Sequence, residues 1–338
     1  MKISMALRSG LAHSTYFFGW ISWKIRKVRD GSLILAYHRV LPKSDAAEGV
    51  QPGMYIDSRR FGAHLKFLQR HFSLRPLAAL TDETPRSPRS QVKPDCFLTF
   101  DDGWRDFYTY AFPVLKAFRV PATVFLPTDY IGKEQWFWTD RLAHFLSKRD
   151  ERVGLNRPSE NITVNALENL NGSQEARLES AIEILKPLRA EEIENSLKEI
   201  AARWRVSSGP SGRTFLTWEE VREMADSGLV AYGSHGASHR ILTTLSETEI
   251  EKELLGSRDK LVSEGAVTGD FIPFCYPNGN YNDKILQLAR RAGYALAVTT
   301  DNGWVLGDSD RFRLKRICLH HDISSTDALL GYRIAQGL

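Results

Sequence analysis

Seven short runs of near-continuous apolar residues constrain the folding of this chain more than any other feature. They are SLILAYH (32–38), CFLTF (96–100), ATVFLP (122–127), LVAYGSH (229–235), FIPFCYP (271–277), ALAVTT (295–300) and FRLKRICL (312–319). A strand wetted on one face alternates apolar and polar residues. Runs without that alternation are strands buried on both faces, as in a parallel sheet covered by helices. Helical patterns stand between the runs: RRFGAHLKFLQRHF, YTYAFPVLKAF, TWEEVREMADSG and EKELLGSRDKLVSEG, the last preceded by Ser246 and Glu249 in the spacing of a capping box. This alternation predicts an α/β fold on a parallel sheet or barrel, and 338 residues suffice for one sizeable domain with a major insertion.

The rhythm breaks at about 131–215, where the polar stretch NRPSENITVNALENLNGSQEAR leads into the charged helical pattern LESAIEILKPLRAEEIENSLKEIAARW. This predicts a helical insertion between the third and fourth strands, a cap beside the site, within a domain spanning 31–338. Residues 1–30 differ again: Tyr16, Phe17, Phe18, Trp20 and Trp23 stand among and before Lys24, Arg26, Lys27 and Arg29. No apolar run there reaches the roughly 20 residues of a membrane span. Aromatics followed by bases also reverse the order of a signal peptide. Two readings stand, a helix in peripheral contact with a membrane surface and a helix docked on the domain. Cys96, Cys275 and Cys318 lie in apolar runs without C-x-x-C spacing and read as reduced core thiols. A cytoplasmic chain, or one associated with the cytoplasmic face of a membrane, is therefore expected. The 45 Lys and Arg against 41 Asp and Glu give +4 with no long basic stripe, which argues against a nucleic-acid partner.

The stretch FLTFDDGWRDF (97–107) places Asp101 and Asp102 side by side at the end of an apolar run. An Asp-Gly pair is an ordinary way to end a strand. Two adjacent negative charges at a partly buried position nevertheless require a nearby cation or a shared proton. A second run ends at His235, and HGASH adds His239 four residues later, a spacing that lets two imidazoles meet one ion. If both strand ends share one rim, Asp102, His235 and His239 form a two-histidine, one-carboxylate set with open positions, the pattern of a catalytic metal. Asp101 then stands beside the ion as a base for water that the ion has acidified. The same ligand set also describes a non-haem iron oxygenase, in which Asp101 would have no task. Tyr276, Trp104 and Trp304, near strand ends, offer ring faces to a sugar, with core packing as the alternative.

TFDDG (99–103) and HGASH (235–239) together resemble the first two motifs of the polysaccharide deacetylase family, the carbohydrate esterases that include chitooligosaccharide and peptidoglycan N-deacetylases. The second motif is commonly H-[ST]-x-x-H, so Gly236 departs from it. The resemblance spans about 31–325, interrupted by the insertion. It implies a distorted (β/α) barrel of about seven strands, Zn2+ (or Co2+, Ni2+ or Fe2+) on Asp102, His235 and His239, and Asp101 as general base. The substrate it implies is an acetylated amino-sugar glycan. Removal of O-acetyl groups, or sugar binding without catalysis, are the alternatives.

The third motif, commonly R-x-P-[YFW]-G, reads CYPNG (275–279) here. The backbone N–H of Asn278 matches the oxyanion donor. Cys275 replaces the arginine that orients the base, and Arg316 on the last strand is the candidate substitute. For the general acid, ICLHHD offers His320 and His321. We expect His38 instead, because it ends the first strand in LILAYHRV, whereas the last strand, with several polar residues, is read as ending away from the metal.

Overall fold

The structure, a computed structural model, describes residues 5–17, 19–28, 31–46, 50, 53–81, 93–149, 158–207 and 214–337. The chain divides into two compact units. One comprises Met1–Leu41, Tyr55–Lys133 and Phe215–Leu338, the other Pro42–Met54 and Glu134–Thr214.

Every one of the seven apolar runs overlaps a strand of the first unit: β1 Ser32–Tyr37, β2 Asp95–Phe100, β3 Ala122–Leu126, β4 Val230–Ser234, β5 Pro273–Cys275, β6 Leu296–Asn302 and β7 Leu314–Cys318. Parallel pairing runs β1-β7-β6-β5-β4-β3-β2, and β2 returns to β1 in register from Ser32↔Asp95 to Tyr37↔Phe100. The sheet is therefore a closed parallel barrel of seven strands, and a short strand, Ser73–Leu74, pairs in parallel with the start of β2 at Asp95 and Cys96. A register shift between Leu314 and Arg316 distorts the β6–β7 seam. Closure buries both faces of β1 and β2 completely, which is why neither run alternates.

Ile34, Phe97, Phe125, Cys275, Val298 and Leu314 fill the interior, with Leu77, Ala79 and Val305 packed on them. Each such aliphatic or phenyl side chain contributes about 1.5–3 kcal/mol by leaving water. Arg316, 1 % exposed, is the exception to this apolar lining on β7. Because all strands are parallel, their carboxyl ends form one rim, where loops of independent sequence meet.

The N-terminal helices Met5–Phe17 and Trp20–Lys27 dock on this unit. Ala12 packs with Ala328 and Leu329 of the helix Asp327–Gln336. The ring of Tyr16 lies 6.4 Å from that of Phe67, Ile25 is buried, and Lys24 Nζ donates to the Ala335 carbonyl at 2.6 Å. Trp23 remains half exposed, with the Lys27 ammonium 4.2 Å over its ring. Among the described residues no helix is long and apolar enough to cross a membrane. Phe18 and Arg29 lie outside the described residues.

The second unit has a core of its own. Leu142 and Phe145 of the helix Trp138–Lys148, Leu167 of Ile162–Glu168, Leu178 and Leu185 of Gln174–Leu185, and Leu197 and Trp204 of Ala190–Trp204 pack together. Polar residues between the helices start them: Asn161 accepts from Thr163 N at 2.9 Å, and Ser173 from Ala176 N at 3.3 Å. The polar stretch in the sequence is thus helix-capping chemistry around an apolar core.

Candidate active site

The Asp-Asp-Gly turn separates its two carboxylates. Asp101 N donates to the Tyr37 carbonyl at 2.9 Å and extends the β1–β2 ladder one residue past Phe100. Asp102 (φ 75°) and Gly103 (φ 64°) then adopt left-handed conformations and reverse the chain. Glycine is required at the second position, since a Cβ there would lie 2.8 Å from Leu126 and 2.9 Å from Ile131. Asp101 consequently faces Arg316, which grips it with Nη1 to Oδ1 at 2.8 Å and Nη2 to Oδ2 at 2.7 Å. Asp102 faces the histidines.

His235 follows β4, its N–H donating to the Leu126 carbonyl at 2.9 Å. Nε2 of His235 is 3.4 Å and Nε2 of His239 3.3 Å from Asp102 Oδ1. Ligand bonds of about 2.0–2.1 Å in tetrahedral array imply ligand–ligand edges of about 3.3 Å, so the three atoms are spaced to hold one small divalent ion. The surrounding bonds point the lone pairs correctly. His235 Nδ1 donates to the Cys275 carbonyl at 2.8 Å, which fixes the tautomer and leaves Nε2 as the acceptor. Trp104 Nε1 donates to Asp102 Oδ2 at 3.1 Å and leaves Oδ1 toward the imidazoles. The Trp104 ring is itself held, stacked on Phe215 at 4.6 Å and 4.4 Å beneath the Arg39 guanidinium.

Asp101, His235 and Cys275 also converge, but this second group does not suit a cation. Both Asp101 oxygens are engaged by Arg316, whose Nη2 is also 3.1 Å from Cys275 Sγ, and a buried guanidinium repels a second positive charge. Burial pushes the Cys275 thiol pKa up, so the sulfur stays protonated.

Burial alone would raise the Asp101 pKa. The Arg316 guanidinium overrides this and holds it below the usual carboxylate range. Burial likewise opposes charge on Asp102, and the imidazoles of His235 and His239 beside it hold it well below that range. Both carboxylates are therefore ionised at neutral pH. His38 follows β1 at the same rim, partly exposed, with Nε2 3.9 Å from Asp101 Oδ2. Asn278, in the turn Pro277–Gly279 after β5, is left-handed at φ 56°.

Three expectations are corrected. The ring of Tyr276 is fully buried, stacked on Tyr281, and its hydroxyl donates to the Phe312 carbonyl at 3.0 Å, so it lines no groove. Trp304 is 5 % exposed and donates to the Ile334 carbonyl at 3.2 Å. It precedes Val305, which bridges to Ser32 at the start of β1, so Trp304 belongs to the end of the barrel opposite the carboxylates. Nor does the last strand end away from the site. Cys318 pairs with Ala36, and Leu319 N donates to the Ala36 carbonyl at 2.9 Å, so His320 reaches the same rim as His38. There His320 Nδ1 meets Asp322 Oδ2 at 3.1 Å, and the His321 ring stacks on Tyr55.

Sequence reasoning missed the Cys275 carbonyl, which has no side-chain signature, and the N–H that Trp104 gives to Asp102. The position of Trp104, two residues past Asp102, is the signal that could have revealed the latter.

Similarity to known proteins gives the family. The family described as polysaccharide deacetylase matches residues 89–297. YxkH of Bacillus subtilis, which carries a polysaccharide deacetylase name, is 22% identical over 289 residues, 84% of this chain and 70% of YxkH. The poly-beta-1,6-N-acetyl-D-glucosamine N-deacetylase of Staphylococcus epidermidis is 27% identical over 121 residues, 32% of this chain and 40% of that enzyme. The Streptococcus pyogenes deacetylase PplD, solved with acetate, shares the fold at a TM-score of 0.55 and 20% identity, covering 89% of this chain and 98% of that one. The matched segment carries both the Asp-Asp-Gly turn and the histidine loop, and the chain belongs to the polysaccharide deacetylase family of carbohydrate deacetylases.

Proposed function

We propose that the chain removes N-acetyl groups from an amino-sugar glycan, using a divalent ion, zinc by preference of the donor set, held by Asp102, His235 and His239. The observation that carries this reading is the division of labour at the turn: one carboxylate shares its oxygen with two imidazoles while its neighbour is fixed by Arg316 within reach of His38. Two nitrogens and one oxygen suit zinc, and also Co2+, Ni2+ or Fe2+. When bound, the ion acidifies water and polarises a carbonyl.

Asp101 takes the proton from the attacking water, and Arg316 keeps that carboxylate ionised and correctly turned. The water oxygen joins the acyl carbon, the C–N bond breaks, and His38 protonates the departing nitrogen, since an amide anion is a very poor leaving group. The Asn278 N–H is assigned to the developing oxyanion. The name of the Staphylococcus epidermidis relative supports an N-acetylglucosamine polymer as the substrate class.

Acetate release from acetylated glucosamine oligomers, with and without chelator, tests the proposal. Chelator-sensitive release from amides supports it. Release from O-acetyl esters alone, or oxygen-dependent turnover with ferrous iron, refutes it. His38→Ala should remove the alkaline limb of the kcat profile and keep the metal, whereas inactivity confined to His320→Ala or His321→Ala would move the acid to the last strand. The exposed Trp23 and the Lys27 ammonium over its ring support peripheral contact of residues 1–30 with anionic lipid. Unchanged liposome binding after truncation of that segment would leave docking on the barrel as its role.

A further inference from the structure

Of the three ligands proposed here, His239 stands furthest from a strand. Asp102 lies two residues past β2 and His235 directly follows β4, but His239 sits in the loop beyond, at φ 59°, a left-handed conformation uncommon for any residue other than glycine. The loop is tied to Glu253, on the helix Glu247–Ser263. Its Oε2 accepts from the N–H of Ala237 at 2.8 Å and of Ser238 at 2.9 Å, and the Ser238 hydroxyl donates to its Oε1. Arg240 Nε lies 3.7 Å from the same oxygen, and Glu253 is only 6 % exposed. One carboxylate thus binds the main chain of both residues between Gly236 and His239.

Gly236 belongs to the same arrangement. It is left-handed at φ 76°, and a Cβ there would come within 3.2 Å of Glu253 Oε2. The carboxylate occupies the space beside the position where the second motif commonly has serine or threonine. A side-chain hydroxyl is supplied instead by Ser234, whose Oγ accepts from Gly236 N at 3.1 Å.

We infer that Glu253 is a positioning residue for the metal centre: it holds the loop 236–240 in the conformation that aims His239 at Asp102. The inference rests on the reading of Asp102, His235 and His239 as the metal ligands. It assigns Glu253 no part in proton transfer and no contact with substrate.

The test uses the full chain and Co2+ as the probe. Its dissociation constant is measured by competition with a chromophoric chelator, alongside the visible spectrum of the cobalt form and the thermal midpoint of the metal-free protein. Glu253→Ala should weaken binding by about 10–100-fold, the usual cost of removing an outer partner of a metal ligand, and should alter the cobalt spectrum. Glu253→Gln should restore most of the affinity, because an amide oxygen still accepts both N–H groups and its NH2 still reaches the serine hydroxyl. Ser238→Ala, which removes one of the three hydrogen bonds, should fall between wild type and Glu253→Ala, and it carries the test with Glu253→Gln should Glu253→Ala fail to fold. Wild-type affinity in Glu253→Ala and Ser238→Ala, or a loss in Glu253→Gln as large as in Glu253→Ala, would overturn the inference. A His239→Ala control that binds Co2+ as tightly as wild type would overturn the metal reading itself, and this inference with it.

Discussion

Both units bury a carboxylate against an arginine that grips it with two hydrogen bonds, side-on in one and end-on in the other. In the helical unit Arg203 Nε and Nη2 meet Glu168 at 2.6 and 2.9 Å. In the barrel Arg316 Nη1 and Nη2 meet Asp101 at 2.8 and 2.7 Å. Their surroundings differ. Glu168 joins two helices around an apolar core, and Arg203 remains partly exposed. Asp101 has a second carboxylate as its chain neighbour, a thiol at 3.6 Å and an imidazole at 3.9 Å, and Arg316 is wholly withdrawn from water. A buried ion pair therefore does not by itself mark a site. The mark is an excess of like charge held where folding alone gains nothing from it, with left-handed residues at Asp102 and His239 to keep it there.

Removing that excess should produce the largest effect. Asp102→Ala should lose the metal and the activity together, with a fall in kcat/KM exceeding the about 10⁴-fold upper cost of losing a general base. Metal content by atomic emission and acetate release check it. Glu168→Ala should lower the unfolding midpoint and leave kcat/KM per folded molecule unchanged. Activity loss in both, with metal retained in both, would erase the distinction between the units. Asp101→Asn comes next: it should retain the metal and lose about 10²–10⁴-fold in kcat. Loss of the ion in this variant would mean that the two aspartates have each other's roles.

The arginines sharpen the contrast further. Arg316→Gln leaves the Asp101 carboxylate buried and uncompensated, which should cost about 3–5 kcal/mol of stability. It should also raise the Asp101 pKa, so the acid limb of kcat/KM should move to higher pH in the surviving folded fraction. Arg203→Gln should leave that limb where it is. Equal pH profiles for the two variants would reduce Arg316 to a structural cation.

Much of this was legible in the chain, and the reasons are local. Each barrel strand announced itself because burial on both faces removes alternation, and Asp101, Asp102 and His235 were legible because they end such runs. Arg316 could be proposed once Cys275 was seen where an arginine was expected; only closure of β7 onto β1 showed that it crosses the barrel to Asp101. Tyr276 and Trp304 were misplaced because an aromatic beside a strand end reads the same whether its ring faces a groove or the core, and the hydrogen bonds that settle the matter go to carbonyls distant in sequence. Glu253 was invisible for a similar reason. On a helix it reads as one more solvated acid until the loop folds against it.

The smallest expected effect separates acid lability of the barrel from the chemistry at its rim. His64 is fully buried on the helix Ser58–His71, where its Nε2–H donates to the Ser324 carbonyl at 2.7 Å and its Nδ1 accepts from the Tyr37 hydroxyl at 3.2 Å. Burial lowers its pKa from 6.5 to about 4, with the Ser324 hydrogen bond and Asp327 opposing and Arg60 and His321 reinforcing the drop. A lowered folded-state pKa means that the unfolded chain takes up the proton first as pH falls. The contribution is therefore complete above pH 6.5, is lost progressively down to about 4, and amounts to about 3 kcal/mol. Asp101 and Asp102, also lowered but from 3.8, lose their contributions only below that value. Urea unfolding at pH 7 and pH 5 should thus show a drop that His64→Gln diminishes, since glutamine offers a donor and an acceptor without titrating. His144, His239 and His320, also lowered by burial, keep the remainder. An undiminished drop in His64→Gln would place the acid sensitivity of the barrel elsewhere than in this imidazole.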